Sequence, residues 1–194
     1  MPQGFSCNEE PKAGSIFCIF HDEDYLKGHY VEFERQATKR FEEKVNKSIS
    51  ENKPLQCNAY FLPDIKFAKY LQNNLTTQEK TFPQLVYFNK ATFCRGADFS
   101  LITFFHQADF NGATFSGEAY FTNAIFSAKA NFYGATFSGE AFFHSAKFSK
   151  EANFNGATFS GEASFHWAKF SGEAYFGGAR FSKEATFFIL NSLN

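Results

Sequence analysis

Phenylalanine recurs through the second half of the chain at steps that alternate between five and six residues. The series is unbroken from Phe88 to Phe187, and Phe82 lies one six-residue step before it. An alanine or another apolar residue usually stands two positions before each phenylalanine, with a variable residue between them. Because successive side chains of a β-strand point to opposite faces, this alternation predicts short strands with alanine and phenylalanine directed inward.

The repeating unit is longer than a single pair of steps. Ala113–Gly134 and Ala135–Gly156 are identical at 15 of 22 positions, and Ala157–Gly178 shares 17 of 22 with the block before it. Four strand segments in 22 residues predict a coil with four sides, and successive coils should stack at about 4.8 Å, which is the spacing of neighbouring strands. Roughly five coils would then give a rod about 24 Å long. One interior column should contain Phe93, Phe115, Phe137, Phe159 and Phe181.

The Ala-x-Phe-x-x pattern covers residues 82–187 and resembles the pentapeptide-repeat family. The resemblance implies a right-handed quadrilateral parallel β-helix, here with about 22 residues per coil, and this hand agrees with the general preference of parallel crossovers. The chain departs from the simplest members of that family because alternate steps have six residues and because the column is phenylalanine alone. We therefore expect an all-β solenoid with an N-terminal helical cap.

The six-residue steps contain a residue that is often glycine. Glycine suits a corner or bulge with unusual backbone angles, but Lys150 and Lys183 occupy the same kind of place. We therefore expect ordinary angles at this corner, with glycine merely convenient there. The glycines concerned are Gly117, Gly139, Gly161 and Gly172.

The chain before the repeats divides into two segments. Residues 1–55 form an N-terminal segment, and residues 56–81 form a degenerate first coil with an insertion loop and a short helix at FAKYLQNN. From Asp22 to Asn52, apolar residues recur at steps of three and four, which predicts an amphipathic helix. Since a solenoid must protect its ends, this helix is expected to cover the first coil; the alternative is a helix that binds a partner.

The tail of residues 188–194 is apolar and too short to form a capping helix of its own. It either folds over the last coil or leaves that end to meet a second copy of the chain. Members of the family that this chain resembles are often dimers joined at their C-terminal coils. The resemblance therefore implies a homodimer through the C-terminal coil.

Four residues near the N-terminus could bind a metal ion. Cys7, Cys18, His21 and His29 have the spacing C-x10-C-x2-H-x7-H, in which Cys18 and His21 form a close pair. Zn²⁺ in structural sites takes four nitrogen or sulfur ligands in a tetrahedron, so these residues are candidate ligands of a structural zinc, with Cys57 as a replacement candidate for His29. The alternative is two ordinary cysteines and two surface histidines.

Aromatic residues in the later repeats are expected to form an outward patch. In the 22-residue register Tyr120 and Phe142 lie in one column and His144 and His166 in the next, while Trp167, the single tryptophan, shares a third with Ile189. An exposed aromatic cluster often marks contact with a partner. These residues are the candidate binding face; the alternative is ordinary variation among outward positions.

Charge and composition argue against several functions. The net charge is −1, and residues 82–187 contain equal numbers of acidic and basic residues, so no basic stripe for nucleic acid is expected. The sequence has no apolar run long enough to span a membrane, no signal peptide at its start and only four cysteines, so we expect a cytoplasmic protein with reduced thiols. No nucleophile–base pair or phosphate-binding loop points to an enzyme.

The sequence therefore predicts a non-enzymatic binding or scaffold module that offers a rigid surface to a protein partner. Two alternatives remain. The first is a DNA mimic that interacts with topoisomerases, because some pentapeptide-repeat proteins resemble duplex DNA in charge and shape and inhibit these enzymes. This activity would require a continuous acidic surface. The second is a zinc-dependent regulatory protein that recognises its target through the N-terminal segment.

Overall fold

Short parallel strands wound into four-sided coils build most of the molecule. The computed structural model describes residues 27–71 and 80–188, which contain 23 strands and two helices. The first coil follows helix α1 (Tyr30–Ser50), and helix α2 (Phe67–Leu71) lies between its third and fourth strands. The first two coils contain β1 Leu55–Gln56, β2 Phe61–Leu62, β3 Ile65–Lys66, β4 Lys80–Phe82, β5 Val86–Tyr87, β6 Thr92–Phe93, β7 Ala97–Asp98 and β8 Ile102–Phe104.

The later coils repeat the same arrangement, and the last of them has three strands within the described residues. The third and fourth coils contain β9 Ala108–Asp109, β10 Thr114–Phe115, β11 Ala119–Tyr120, β12 Ile125–Phe126, β13 Ala130–Asn131, β14 Thr136–Phe137, β15 Ala141–Phe142 and β16 Lys147–Phe148. The remaining strands are β17 Ala152–Asn153, β18 Thr158–Phe159, β19 Ala163–Ser164, β20 Lys169–Phe170, β21 Ala174–Tyr175, β22 Arg180–Phe181 and β23 Ala185–Thr186.

Strands at the same place in successive coils pair in parallel and form four sheets, which we name faces A to D. Face A begins with β1, face B with β2, face C with β3 and face D with β4, and each continues through every fourth strand. Thr114 pairs with Thr136 and Phe115 with Phe137, so the register advances by 22 residues per coil. The predicted parallel β-solenoid with about 22 residues per coil and an N-terminal helix is confirmed.

Four columns of stacked phenyl rings fill the interior. In the column predicted from the sequence, the ring centroids of Phe115 and Phe137, and of Phe137 and Phe159, are 4.7 Å apart and the rings are nearly parallel. This separation matches the strand spacing, so ring stacking and backbone pairing have the same period. Alanines such as Ala113 and Ala135 are fully buried beside the rings, because only a small side chain leaves room for a phenyl group at native packing density.

The corners within the five-residue steps and the corners within the six-residue steps differ in backbone conformation. Positive φ occurs at the second residue after the phenylalanine that starts a five-residue step, as at Asn123, Gly134 and Trp167. The glycines of the six-residue steps have no positive φ, so the expected ordinary angles are confirmed there. The expectation that glycine is merely convenient is wrong: a Cβ on Gly139 would lie 2.6 Å from the backbone of Gly117 one coil below. At Gly139 the close approach of the coils leaves no room for a side chain unless the backbone shifts, although Lys183 occupies the equivalent place two coils later.

Helix α1 covers the N-terminal end of the solenoid. Its fully buried residues recur every four positions at Phe33, Ala37, Phe41 and Val45. The Phe41 ring packs edge-on against Tyr70 of α2 at 5.1 Å between centroids. The predicted helix from Asp22 to Asn52 corresponds to α1, and residues 22–26 lie outside the described part of the chain. Because its apolar face is buried, α1 acts as a cap, and neither described helix is long and apolar enough to cross a membrane.

Candidate functional site

Face C changes character along the solenoid axis. Its outward positions in the third and fourth coils are Tyr120 and Phe142, whose rings stack with centroids 5.0 Å apart. In the next two coils the same column contains Ser164 and Thr186. The aromatic column therefore stops at Phe142. One face of the Phe142 ring has no stacking partner within the column, because the next residue in the column is Ser164.

A second aromatic group lies at the corner that follows face C. The imidazole rings of His144 and His166 stack at 5.4 Å, and the Phe188 ring lies 5.4 Å from His166. The indole of Trp167 is 5.1 Å from His144 and 4.4 Å from His166, and 43% of this residue is exposed. The predicted patch residues therefore lie on one face and its adjoining corner, whereas Ile189 lies outside the described residues.

Trp167 occupies the turn position at which this solenoid adopts positive φ, with φ 57°. Left-handed backbone is uncommon for a bulky residue, and the same place is held by Ser145 and Asn123 in the coils below. The backbone N–H of Trp167 donates to the carbonyl of Phe188 at 2.9 Å. The indole points outward because the buried side chains of Phe165 and Ala168 occupy the interior at this corner.

A groove of about 510 Å³ lies beyond the last aromatic ring of face C. Phe142 borders the groove, and the hydroxyl-bearing Ser164 and Thr186 also line it. Glu162 and Glu184 come from the corner before face C, and His144 from the corner after it. The groove thus has aromatic, acidic and imidazole surfaces, and it overlaps the predicted binding face at Phe142 and His144.

Glutamates at the preceding corner form a column, and only the first has an aromatic hydroxyl as partner. The Tyr120 hydroxyl donates to Glu118, and this hydrogen bond is the main reason that the pKa of Tyr120 is raised to about 12. Phe142 has no hydroxyl to offer to Glu140. Within residues 27–71 and 80–188, neither Glu162 nor Glu184 forms an ion pair. The acidic side of the groove is therefore available to a cation.

The sequence-based list of site residues omitted Glu162, Ser164, Glu184 and Thr186. The list selected residues with large outward side chains, whereas the groove depends on the absence of such side chains above Phe142. One signal was present: in aligned repeats, Ser164 stands where the two preceding blocks have Tyr120 and Phe142.

The predicted zinc ligands fall mostly outside the described residues. Cys7, Cys18 and His21 are not in the described range, while His29 directly precedes α1. Cys57, the possible replacement ligand, is fully buried in the hydrophobic core of the first coil. In the part of the chain that the structure describes, no three His, Cys, Asp or Glu residues are grouped as metal ligands. Zinc binding stays a prediction.

The C-terminal coil leaves its core partly uncovered by the described residues. Phe159 is fully buried, whereas Phe181, one coil later in the same column, is only half-buried. At the end of another column Phe187 is 45% exposed, although its ring stacks on Phe165 at 4.8 Å.

Comparison with known proteins gave one family match. A family described as "Pentapeptide repeats (9 copies)" matches residues 103–147 and 143–188, which include strands of all four faces in the later coils and the whole groove. Neither the curated proteins nor the solved structures gave a significant match to the chain.

Proposed function

This chain is a pentapeptide-repeat protein, with repeats matched over residues 103–188, and we propose that it is a non-enzymatic binding module that presents face C and its following corner to a protein partner. The observation that carries this proposal is the concentration of outward aromatic groups there. Tyr120, Phe142 and Trp167, together with two histidines, lie next to the groove, and aromatic side chains dominate the energetics of protein interfaces.

Faces B and D offer less to a partner in the same coils. Outward positions of face B are threonines from Thr92 to Thr158, and those of face D include Lys147 and Lys169. Backbone pairing and ring stacking fix the patch on a rigid support, so a partner would meet residues whose positions are already set. Such preorganisation lowers the entropic cost of association.

Site-specific cross-linking tests the proposed face. A photoreactive phenylalanine analogue at position 142 should capture a protein partner, and the same analogue at Tyr133, which is 53% exposed in the turn after face A, should not. The captured protein is then purified and its affinity measured directly. Phe142→Ser should weaken binding, whereas Tyr133→Ser should leave it unchanged. Equal capture at the two positions, or equal affinity of the two variants, would contradict the proposal.

We also propose that two copies of the chain associate through their C-terminal coils, as expected from the family. The half-buried Phe181 and the exposed Phe187 support this arrangement, because apolar surface at the end of a solenoid favours association. Native mass spectrometry should give the mass of a dimer for the wild-type chain and of a monomer for Phe187→Lys. A monomer for both would overturn the proposed dimer.

The alternative of a topoisomerase-interacting DNA mimic has less support. Duplex DNA carries a regular negative charge along its whole length, but the acidic residues of the repeats are balanced by basic ones. Lys129 pairs with Glu151 at 2.8 Å, and Lys147 and Lys169 occupy adjoining positions on face D. The continuous acidic column is restricted to one corner, which is narrower than the surface that mimicry requires.

A further inference from the structure

We propose that the groove beyond Phe142 binds an arginine side chain of the partner protein. This inference rests on the proposed function, because it assigns a specific chemistry to the same surface. Its starting point is the interrupted aromatic column: the ring of Phe142 is stacked on Tyr120 at 5.0 Å on one side and is followed by Ser164 on the other. A planar group of about ring thickness can continue the stack above Phe142.

Arginine is the side chain that suits this position. Its guanidinium is planar, stacks on aromatic faces and is more weakly hydrated than an ammonium group. A cation–π pair at the capped end of the same molecule uses this chemistry, since the guanidinium of Arg95 lies 4.3 Å from the ring centroid of Tyr30. An aliphatic side chain could also cover Phe142, but it would leave the polar side of the groove without partners.

Charge complementarity supplies the second part of the argument. Glu162 and Glu184 occupy equivalent positions in successive coils, as shown by the pairing of Ala163 with Ala185, so their backbones are about 4.8 Å apart. Like charges directly opposite on neighbouring strands repel each other. A guanidinium has five N–H donors in a fixed plane and can donate to both carboxylates while its flat face lies against a ring. Binding would therefore relieve a repulsion that the free protein contains.

The remaining groove residues fit the rest of the side chain. The Thr186 hydroxyl donates to the Ser164 hydroxyl at 3.4 Å, which makes a low floor between the two sides of the groove. His144 is on the opposite side from the glutamates, and its ring also contacts Trp167. The methylene groups of an arginine can pass between the imidazole and the floor, since long basic side chains commonly bury their stems along apolar surface.

The experiment uses the full-length chain and the peptide acetyl-Gly-Gly-Arg-Gly-Gly-amide. A matched peptide with citrulline in place of arginine keeps the shape and removes the charge. The single tryptophan makes the readout specific, because the indole N–H resonance of Trp167 reports on a ring in contact with the groove residue His144. The arginine peptide should shift this resonance in a saturable manner, and the citrulline peptide should not.

Charge variants separate the groove from the overall charge of the protein. Glu162→Gln combined with Glu184→Gln should weaken arginine binding by about tenfold, as expected for two exposed charged contacts. The control is Glu151→Gln combined with Glu173→Gln, which makes the same change in net charge on the corner before face A. If the two double variants weaken binding of the arginine peptide equally, the effect comes from the net charge of the protein, and the inference is overturned.

Two further outcomes are decisive. Binding of the citrulline peptide as tightly as the arginine peptide, or tighter binding of a lysine peptide, would show that a guanidinium is not the group selected. If cross-linking at position 142 captures a partner but the arginine peptide does not bind, the arginine inference fails and the proposed binding face stands. If position 142 captures no partner while the arginine peptide binds the groove, the groove selects a guanidinium, but the proposed protein interface fails and with it the assignment of that arginine to a partner protein.

Discussion

At its N-terminal end the solenoid is covered by helix α1, whereas at its C-terminal end the described residues leave the phenyl rings of the last coil half-buried or exposed. Phe41 of α1 reaches the core of the first coil and contacts Phe67 and Tyr70. Phe187 has a neighbouring ring on only one side of its column. The comparison shows that the repeat sequence determines the interior of the solenoid but not how its ends are covered. The cap α1 comes from a segment with the three- and four-residue apolar spacing of a helix and not from the repeat.

The same contrast places the candidate site. The groove and its aromatic corner lie in the later coils, far from the cap, where Phe188 and Thr186 are among the last described residues. Within the described residues the last coil has a neighbouring coil on one side only, and coils with fewer neighbours open more readily than coils between two others. The helical cap and the proposed binding face therefore lie at opposite ends of the rod, and the following substitutions test that separation.

The largest expected effect is at the capped end. Phe41→Ala should lower the free energy of unfolding by about 3–5 kcal/mol, because it leaves a cavity where a fully buried ring joined the helix to the first coil. Phe187→Ala should cost less than about 1 kcal/mol, because its ring is already half-exposed. Urea denaturation followed by circular dichroism measures both values. Similar costs for the two variants would mean that the ends are equally well covered.

A corner glycine should reveal how closely the coils approach in the middle of the rod. Gly139→Ala is expected to cost about 1–3 kcal/mol, since the added methyl group overlaps the backbone of Gly117. Gly134→Ala is the control: nothing lies within 4 Å of its Cβ position, but its φ of 61° is left-handed, and the expected cost is about 1 kcal/mol. A smaller cost at Gly139 than at Gly134 would contradict the close approach.

The capped end should also lose stability at high pH. Burial raises the pKa of Tyr70 from 10.0 to about 12, so the folded state holds the phenol proton more tightly than the unfolded state. The stability from this group is complete below pH 10 and is lost as the pH rises toward 12. Unfolding free energies measured across this range should fall less steeply for Tyr70→Phe than for the wild type. Identical slopes would show that Tyr70 is not responsible.

The smallest expected effect on folding is at the binding face. Phe142→Ser should cost less than about 1 kcal/mol, because it removes one partly exposed stacking contact and places in face C the residue that the next coil already has at Ser164. Thermal unfolding of this variant provides the measurement. A large loss of stability would mean that Phe142 is mainly structural, and reduced partner binding by this variant would then have another cause.

The interior was predictable from the sequence because every repeat imposes the same restraint. Phe115, Phe137 and Phe159 have identical surroundings, so the 22-residue period alone indicates which residues stack. The steric restriction at Gly139 was not predicted, because the backbone that a side chain there would contact belongs to a residue 22 positions away, in the coil below. Sequence periodicity indicates which residues align, but it does not give the distance between their backbones.

The candidate site was predictable only in part for a related reason. Outward aromatic groups such as Trp167 are visible in the sequence because they interrupt an otherwise small and polar column. The groove arises from missing side chains at Ser164 and Thr186, and its acidic border comes from a column that also occurs below the groove. A concave site becomes apparent only when large and small residues are placed beside each other in three dimensions.

The constant register of the coils has a consequence for how such a protein can change through evolution. Duplication or loss of one complete 22-residue block preserves every strand pairing and every corner, so the chain can vary in length without a new fold. Loss of Ala91–Gly112, for example, would move helix α1 about 4.8 Å closer to the groove while leaving the groove residues in place. The number of 22-residue blocks therefore sets the distance between helix α1 and the groove in increments of one coil.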